Sequence, residues 1–141
     1  MIKSIAKGKN FERLIAKRLT KLTKTNWKRV PMSGAFSTVN RSKDKRFFGD
    51  VFTETKLFSD IVVECKKTKA PITIFELLNP KARLFEWINQ TKRESKGQKW
   101  ILIFSWNHSK IFYITPFKSV VQRLNLKNSI IIDKNYFGLL K

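Results

Sequence analysis

The chain has 141 residues and a net charge of +20, from 30 basic and 10 acidic side chains. Its hydrophobic content of 42% excludes a disordered tail and suits a single domain spanning residues 1–141. No apolar run is long enough for a transmembrane helix. The chain has one cysteine and one histidine, which excludes an intrachain disulfide and a zinc finger, so any metal must be held by carboxylates.

The hydrophobic pattern of the first half predicts one helix followed by strands. Apolar side chains recur at helical spacing over residues 10–24, with Asn10 as the N-cap. The polar and basic stretch over residues 33–46 is typical of a surface loop. The predicted strands cover residues 27–31, 50–53 and 60–66.

The second half predicts two more helices and three more strands. The dipeptide Asn79-Pro80 is a typical helix start and Gly97 a typical stop, and Thr115-Pro116 predicts the start of a shorter helix. The predicted strands cover residues 100–105, 111–114 and 130–132. The resulting order, α-β-β-β-α-β-β-α-β, predicts an α/β fold in which helices flank a central mixed sheet.

One strand brings together side chains that could carry chemistry. Because side chains alternate along a strand, Glu64 and Lys66 share one face of the third strand, and Cys65 points to the other as a core thiol. Pairing with the preceding strand can bring Asp50 beside Glu64. Two neighbouring carboxylates bind Mg²⁺, and an adjacent ammonium can stabilise charge on a phosphoryl group. The pattern indicates phosphodiester hydrolysis.

Asp60 is the alternative to Asp50. It shares a strand face with Glu64, but four residues of strand separate the two by roughly 13 Å, which is too far for a shared metal. We therefore favour Asp50. His108 is expected in a turn, and the tryptophans are expected mainly in the core.

Four segments, taken in order, resemble the PD-(D/E)XK nuclease superfamily. They are KGKNFERLIAKRL, RVPMSG, GD and VECK. Within the superfamily the segments are most similar to Holliday-junction resolvases of the archaeal type, which also occur in viruses. Gly49 stands where that family has a proline before the motif aspartate.

The resemblance implies roles for specific residues. It makes Asp50, Glu64 and Lys66 catalytic, and it adds Glu12 to Asp50 and Glu64 as a metal ligand, although Glu12 could equally be a surface glutamate of the helix. It places Arg13, Arg29 and Ser33 near DNA. We expect the basic loop to contact DNA as well, through Arg41, Lys43, Lys45 and Arg46.

The resemblance also implies Mg²⁺ as the cofactor, with Mn²⁺ as a substitute, and branched DNA as the substrate. Two symmetric cuts at a four-way junction require a homodimer. The interface candidates are Phe47, Phe48 and the helix face bearing Leu84, Phe85 and Ile88, which could equally be core. Lysine-rich, isoleucine-rich composition favours a virus-encoded protein acting in the cytoplasm of its host.

Two alternatives remain open. The chain could be another PD-(D/E)XK nuclease of the restriction or repair type. It could also be a non-enzymatic nucleic-acid-binding protein, since Lys and Arg alone neutralise phosphates. Carboxylates within a basic surface argue against a pure binder because they repel phosphate. A membrane-surface role is disfavoured because the apolar stripe of the basic helix is needed for the core.

Overall fold

The computed structural model describes residues 2–31 and 48–141, with side chains from residue 7 onward. Within these ranges, seven strands form one mixed sheet accompanied by four helices, which confirms the predicted α/β fold class. The helices are α1 (Ile2–Thr23), α2 (Ile74–Leu77), α3 (Arg83–Glu94) and α4 (Lys118–Arg123). The strands are β1 (Trp27–Arg29), β2 (Val51–Thr53), β3 (Ile61–Thr68), β4 (Lys99–Trp106), β5 (Phe112–Thr115), β6 (Ile130–Ile132) and β7 (Asn135–Leu139).

The strand order in the sheet is β1-β2-β3-β4-β5-β7-β6. The pair β3–β4 is parallel, and the other described pairs are antiparallel. Parallel neighbours need a crossover connection, which α2 and α3 supply here. The crossover leaves the carboxyl ends of β3 and β4 side by side, with Lys67 opposite Ser105.

The core has two layers, one on each face of the sheet. The first packs α1 and α4 against β3 and β4, with Ile15, Leu19 and Val63 fully buried. The second packs α3 against the opposite face, where Leu84 meets Val62. The predicted alternation of side chains along β3 is therefore confirmed, and Cys65 packs against the α1 layer.

The candidate dimer contacts lie in this core instead. Phe48, Leu84 and Ile88 are at most 7% exposed because they fill the α3 layer against Trp100. Their helical spacing comes from packing within the chain, so the interface prediction for these residues is wrong. Phe47 and the predicted loop over residues 33–46 lie outside the described residues.

Two predicted helix starts are displaced. Helix α1 begins at Ile2 and continues through Asn10, whose side chain accepts a hydrogen bond from Arg13 instead of capping the helix. Helix α3 begins at Arg83, because Asn79 Oδ1 accepts the Lys81 N–H at 3.0 Å and forms a separate turn. A side chain that can cap a helix can also close a turn of its own, and the sequence does not distinguish these uses.

Strand β7 was not predicted. It follows β6 through a two-residue turn at Asp133 and Lys134, both of which have positive φ. Such a turn matches the twist of a hairpin, and Asp133 is a usual residue at its first position, but Lys134 occupies the second position, where glycine is usual. Strand β6 is at the edge of the sheet and exposes Ile130 and Ile131. No helix in the described ranges is long and apolar enough to cross a membrane.

Candidate active site

Backbone hydrogen bonds on both sides hold Asp50 in place. Its carbonyl accepts the Val30 N–H at 2.8 Å, and its own N–H donates to the Val63 carbonyl at 2.7 Å. Its carboxylate Oδ2 accepts the Cys65 N–H at 2.8 Å. The aspartate is thus bound to the edge of β3 by main chain and side chain, one residue away from Glu64.

Gly49 allows this close approach. A Cβ on Gly49 would lie 2.8 Å from the Val63 nitrogen and closer still to its carbonyl oxygen. No side chain fits there, because the obstacle is backbone and cannot move aside. A proline at this position would carry the same Cβ, which gives a physical reason why this chain has glycine before the aspartate.

Glu64 is a buried carboxylate beside a second one. It is 4% exposed, and its Oε1 has no hydrogen-bond partner among the described residues. Burial raises the pKa of Glu64 well above its ordinary value, the charges of Asp50 and Glu94 raise it further, and only Lys66 opposes them. A hydrogen bond with the Asp50 carboxyl raises the pKa of Glu64 as well.

Lys66 lies on the same sheet face as Glu64 and is tied to helix α3. Its Nζ donates to Gln90 Oε1 at 3.1 Å, and Gln90 Nε2 in turn donates to Glu94 Oε1 at 3.1 Å. The sequence analysis missed Gln90 and Glu94. Their spacing of four residues puts them on one face of the helix, but only the packing of α3 reveals that this face meets the carboxylate pair.

Glu12 lies near the pair but has its own partner. Arg29 Nε donates to Glu12 Oε2 at 2.6 Å, and both side chains are about 15% exposed. Burial and the nearby Asp50 raise the pKa of Glu12, while Arg29 lowers it. Arg29 therefore orients Glu12. The role of Arg29 as a DNA contact stays a prediction, and so does the role of Glu12 as a metal ligand.

The donor set fits a small hard cation. No three His, Cys, Asp or Glu side chains of the described residues are close enough to hold a metal ion by themselves. Mg²⁺ nevertheless needs only one or two carboxylates, because it keeps several waters and binds substrate phosphate. Asp50 and Glu64 could supply that pair, and the buried, unpartnered Oε1 of Glu64 is the kind of oxygen that a cation would satisfy.

Asp60 is occupied elsewhere. Arg123 donates to both of its carboxylate oxygens at 2.8 Å, and Lys99 lies 3.7 Å away. This ion-pair group connects the start of β3 to α4.

Among the expected DNA contacts, Arg13 is exposed on α1. The others in the basic segment lie outside the described residues, namely Ser33, Arg41, Lys43, Lys45 and Arg46.

Comparison with known proteins gives one family. The model of the family described as "Phage putative PDDEXK endonuclease" matches residues 3–140, nearly the whole chain. No curated protein and no solved structure matches the chain significantly. The matched range includes both strands of the carboxylate pair and the helix that carries Gln90 and Glu94.

Proposed function

Since the chain belongs to this family of phage PDDEXK endonucleases, we propose that it hydrolyses phosphodiester bonds in DNA with Mg²⁺ as its cofactor and four-way junctions as its preferred substrate. The observation that carries the proposal is the pair formed by Asp50 and Glu64. A buried carboxylate with an unpartnered oxygen beside a second carboxylate is costly to fold unless a cation binds there.

Asp50 and Glu64 would hold the metal, and Mn²⁺ would bind the same oxygen ligands. A bound ion would supply Lewis-acid polarisation of a phosphoryl oxygen and would make a nearby water easier to deprotonate. Glu12, which is held by its ion pair with Arg29 and interacts electrostatically with Asp50, would add a third negative charge beside the metal site.

The chain's own residues do the remaining work. The oxygen of a water bonds to phosphorus as the ester bond to one sugar oxygen breaks. One proton of the water is transferred to that sugar oxygen, which leaves as a hydroxyl, and the other stays with the phosphate monoester. Lys66 is held by Gln90 toward the carboxylate face, where its ammonium can stabilise the negative charge on phosphorus-bound oxygens. Hydrogen bonds to backbone fix Asp50 before substrate arrives, so little reorganisation is needed.

Two considerations support a branched substrate. The four ordered segments resemble those of junction resolvases. The +20 charge suits many phosphate contacts, which recognise DNA shape and not base sequence.

The matched family is viral, and we expect the protein to act in the cytoplasm of an infected cell.

A homodimer would supply the two cuts that a junction requires. Since Phe48, Leu84 and Ile88 are buried, the exposed apolar side chains around α2 are better candidates. Ile74, Phe75 and Leu78 are each about 67–77% exposed. Light scattering of the free protein and of the junction complex tests this, and a monomer in both states would contradict the dimer.

The decisive experiment compares a labelled four-way junction with linear duplex of the same sequence, in Mg²⁺ and in EDTA. We expect junction cleavage in Mg²⁺ only. Glu64→Gln should abolish cleavage while junction binding stays equal or becomes tighter, because a negative charge near phosphate is lost. The matched control is Glu86→Gln, which removes the same charge from an exposed position of α3.

Each alternative has its own outcome. Linear duplex cut as readily as the junction would mean a general PDDEXK nuclease. Binding without cleavage in any divalent metal would mean a nucleic-acid-binding protein. Binding should weaken by roughly 10³-fold or more between 50 and 200 mM salt if six or more phosphates are contacted.

A further inference from the structure

A second polar site lies on the other face of the sheet. A cavity of about 420 Å³ opens between α1 and the ends of β3, β4 and β7. On the helix side it is lined by Phe11, Leu14 and Arg18, which share one face of α1. On the sheet side it is lined by Lys67 and Ser105, which are direct neighbours in the parallel register of β3 and β4.

The buried hydroxyl of Ser105 lacks a partner. Ser105 is 1% exposed, and its Oγ has no hydrogen-bond partner among the described residues. Leaving a buried polar group unpaired is unfavourable, and native folds rarely retain one without a reason. Because Ser105 lines the cavity, a ligand that accepts a hydrogen bond from Oγ would satisfy the group.

The charges around the cavity select an anion. Arg18, Lys67, Lys110 and Lys141 line it, and no aspartate or glutamate does among the lining residues that the structure describes. Lys67 is held in place by the Trp106 carbonyl at 3.3 Å and by the Phe11 ring, whose centroid is 5.6 Å from Nζ. Burial and the nearby Lys7 lower the pKa of Lys67, so an anion would relieve an existing electrostatic penalty.

We propose that this cavity binds a phosphate group of a DNA strand, through Lys67 and Arg18 as cations and the Ser105 hydroxyl as a donor. The inference rests on the proposed function for the identity of the nucleic acid. The phosphate bound here is not the one that is cut. Lys67 lies three residues beyond Glu64 on β3, roughly 10 Å along the strand, and points to the opposite face.

The test measures DNA binding in a background that cannot cut, Glu64→Gln. Lys67→Gln should weaken junction binding about tenfold and reduce the slope of log affinity against log salt by about one, as the loss of one phosphate contact does. Ser105→Ala should weaken binding several-fold without changing the slope, because it removes a hydrogen-bond donor and no charge. Lys118→Gln is the matched control, since it removes one exposed charge from α4 outside the cavity.

If the slope and affinity of Lys67→Gln match those of Lys118→Gln, the proposal is overturned. If circular dichroism shows that Lys67→Gln does not fold, Lys110→Gln replaces it, because it removes an exposed cation from the same cavity. Its affinity and salt slope are then compared with those of Lys118→Gln in the same way.

Two further experiments separate the sources of phosphate. Oligonucleotides with and without a 5′-phosphate distinguish a strand end from the strand interior, and inorganic phosphate in a thermal-shift titration tests the free ion.

The outcomes also separate this inference from the proposed function. If the protein cuts no DNA but Lys67→Gln loses a phosphate contact, the cavity proposal is supported and the nuclease proposal is contradicted. If the protein cuts junctions but Lys67→Gln and Ser105→Ala bind DNA like the parent protein, the nuclease proposal is supported and the cavity proposal is contradicted.

Discussion

Gly49 lies against the backbone of Val63 so closely that no Cβ fits between them. The same contact lets the next residue, Asp50, donate its N–H to the Val63 carbonyl and present its carboxylate beside Glu64. The absence of a side chain at one position thus fixes the location of a charged group at the next.

Gly49→Ala should therefore displace Asp50. We expect about 1–3 kcal/mol of lost stability from the overpacked backbone and a fall in kcat of about 100-fold from the misplaced carboxylate. Gly8→Ala is the control, because a Cβ there meets nothing within 4 Å and alanine is the better helix former, so stability should rise by about 0.5–1 kcal/mol. Chemical denaturation and single-turnover cleavage measure both effects. Wild-type kinetics in Gly49→Ala would contradict this account of the site.

Metal binding should be visible without catalysis. At a Mg²⁺ concentration ten times the dissociation constant, the folded state gains about 1.4 kcal/mol, which raises Tm by a few degrees. Glu64→Gln should abolish this shift and should raise Tm in EDTA, because a buried carboxylate beside Asp50 is removed. Differential scanning calorimetry measures Tm with Mg²⁺ and with EDTA, and Glu86→Gln is the control. A Mg²⁺ shift that survives in Glu64→Gln would place the metal elsewhere.

Gln90 should act on catalysis through Lys66. Gln90→Ala releases the ammonium, and we expect kcat to fall about tenfold, or about 1.4 kcal/mol, with KM unchanged. In Lys66→Ala the second substitution should have no further effect, since the two residues act as one unit. Asn89→Ala, on the exposed side of α3, serves as the control. Additive losses in the double variant would show that Gln90 has an independent role.

Asp60→Asn should separate stability from activity. The hydrogen bonds from Arg123 lower the pKa of Asp60, so the ion pair stabilises the fold at pH values above the unfolded pKa of about 3.9. The stabilisation is lost as the pH falls through that value to the lower folded pKa. Because the Asp60 side chain is 46% exposed, its loss at pH 7 should be about 1 kcal/mol or less.

Urea denaturation at pH 7 and at about pH 3 measures this difference, which should be smaller at the lower pH. Junction cleavage by Asp60→Asn should remain within a few-fold of wild type. Loss of cleavage with normal stability would move the site to Asp60 and undercut the choice of Asp50.

The parts of the site that were predictable depend on short-range rules. The period of two along β3 puts Glu64 and Lys66 on one face, and the pairing of neighbouring strands brings Asp50 to them. The contribution of Gln90 and Glu94 depends on the angle at which α3 crosses the sheet, which no local pattern encodes. The partnership of Glu12 with Arg29 likewise depends on how α1 lies across β1.

The same division applies to the fold. Strands with strong apolar patterns, such as β4, were predicted within one or two residues. Strand β7 was missed because the hairpin turn before it, at Asp133 and Lys134, has a lysine at the position where glycine is usual. Helix ends were displaced where Asn10 and Asn79 used their side chains for other hydrogen bonds.

The edge strand β6 has a consequence for how the protein behaves in concentrated solution. Its two exposed isoleucines lie on a backbone with one described neighbour, a combination that promotes strand-to-strand association between copies. Lys127 and Lys134 flank the strand, and the charge of +20 keeps copies apart by mutual repulsion. Salt and polyanions screen that repulsion, so colloidal stability should be greatest in dilute buffer and least where DNA has neutralised the surface.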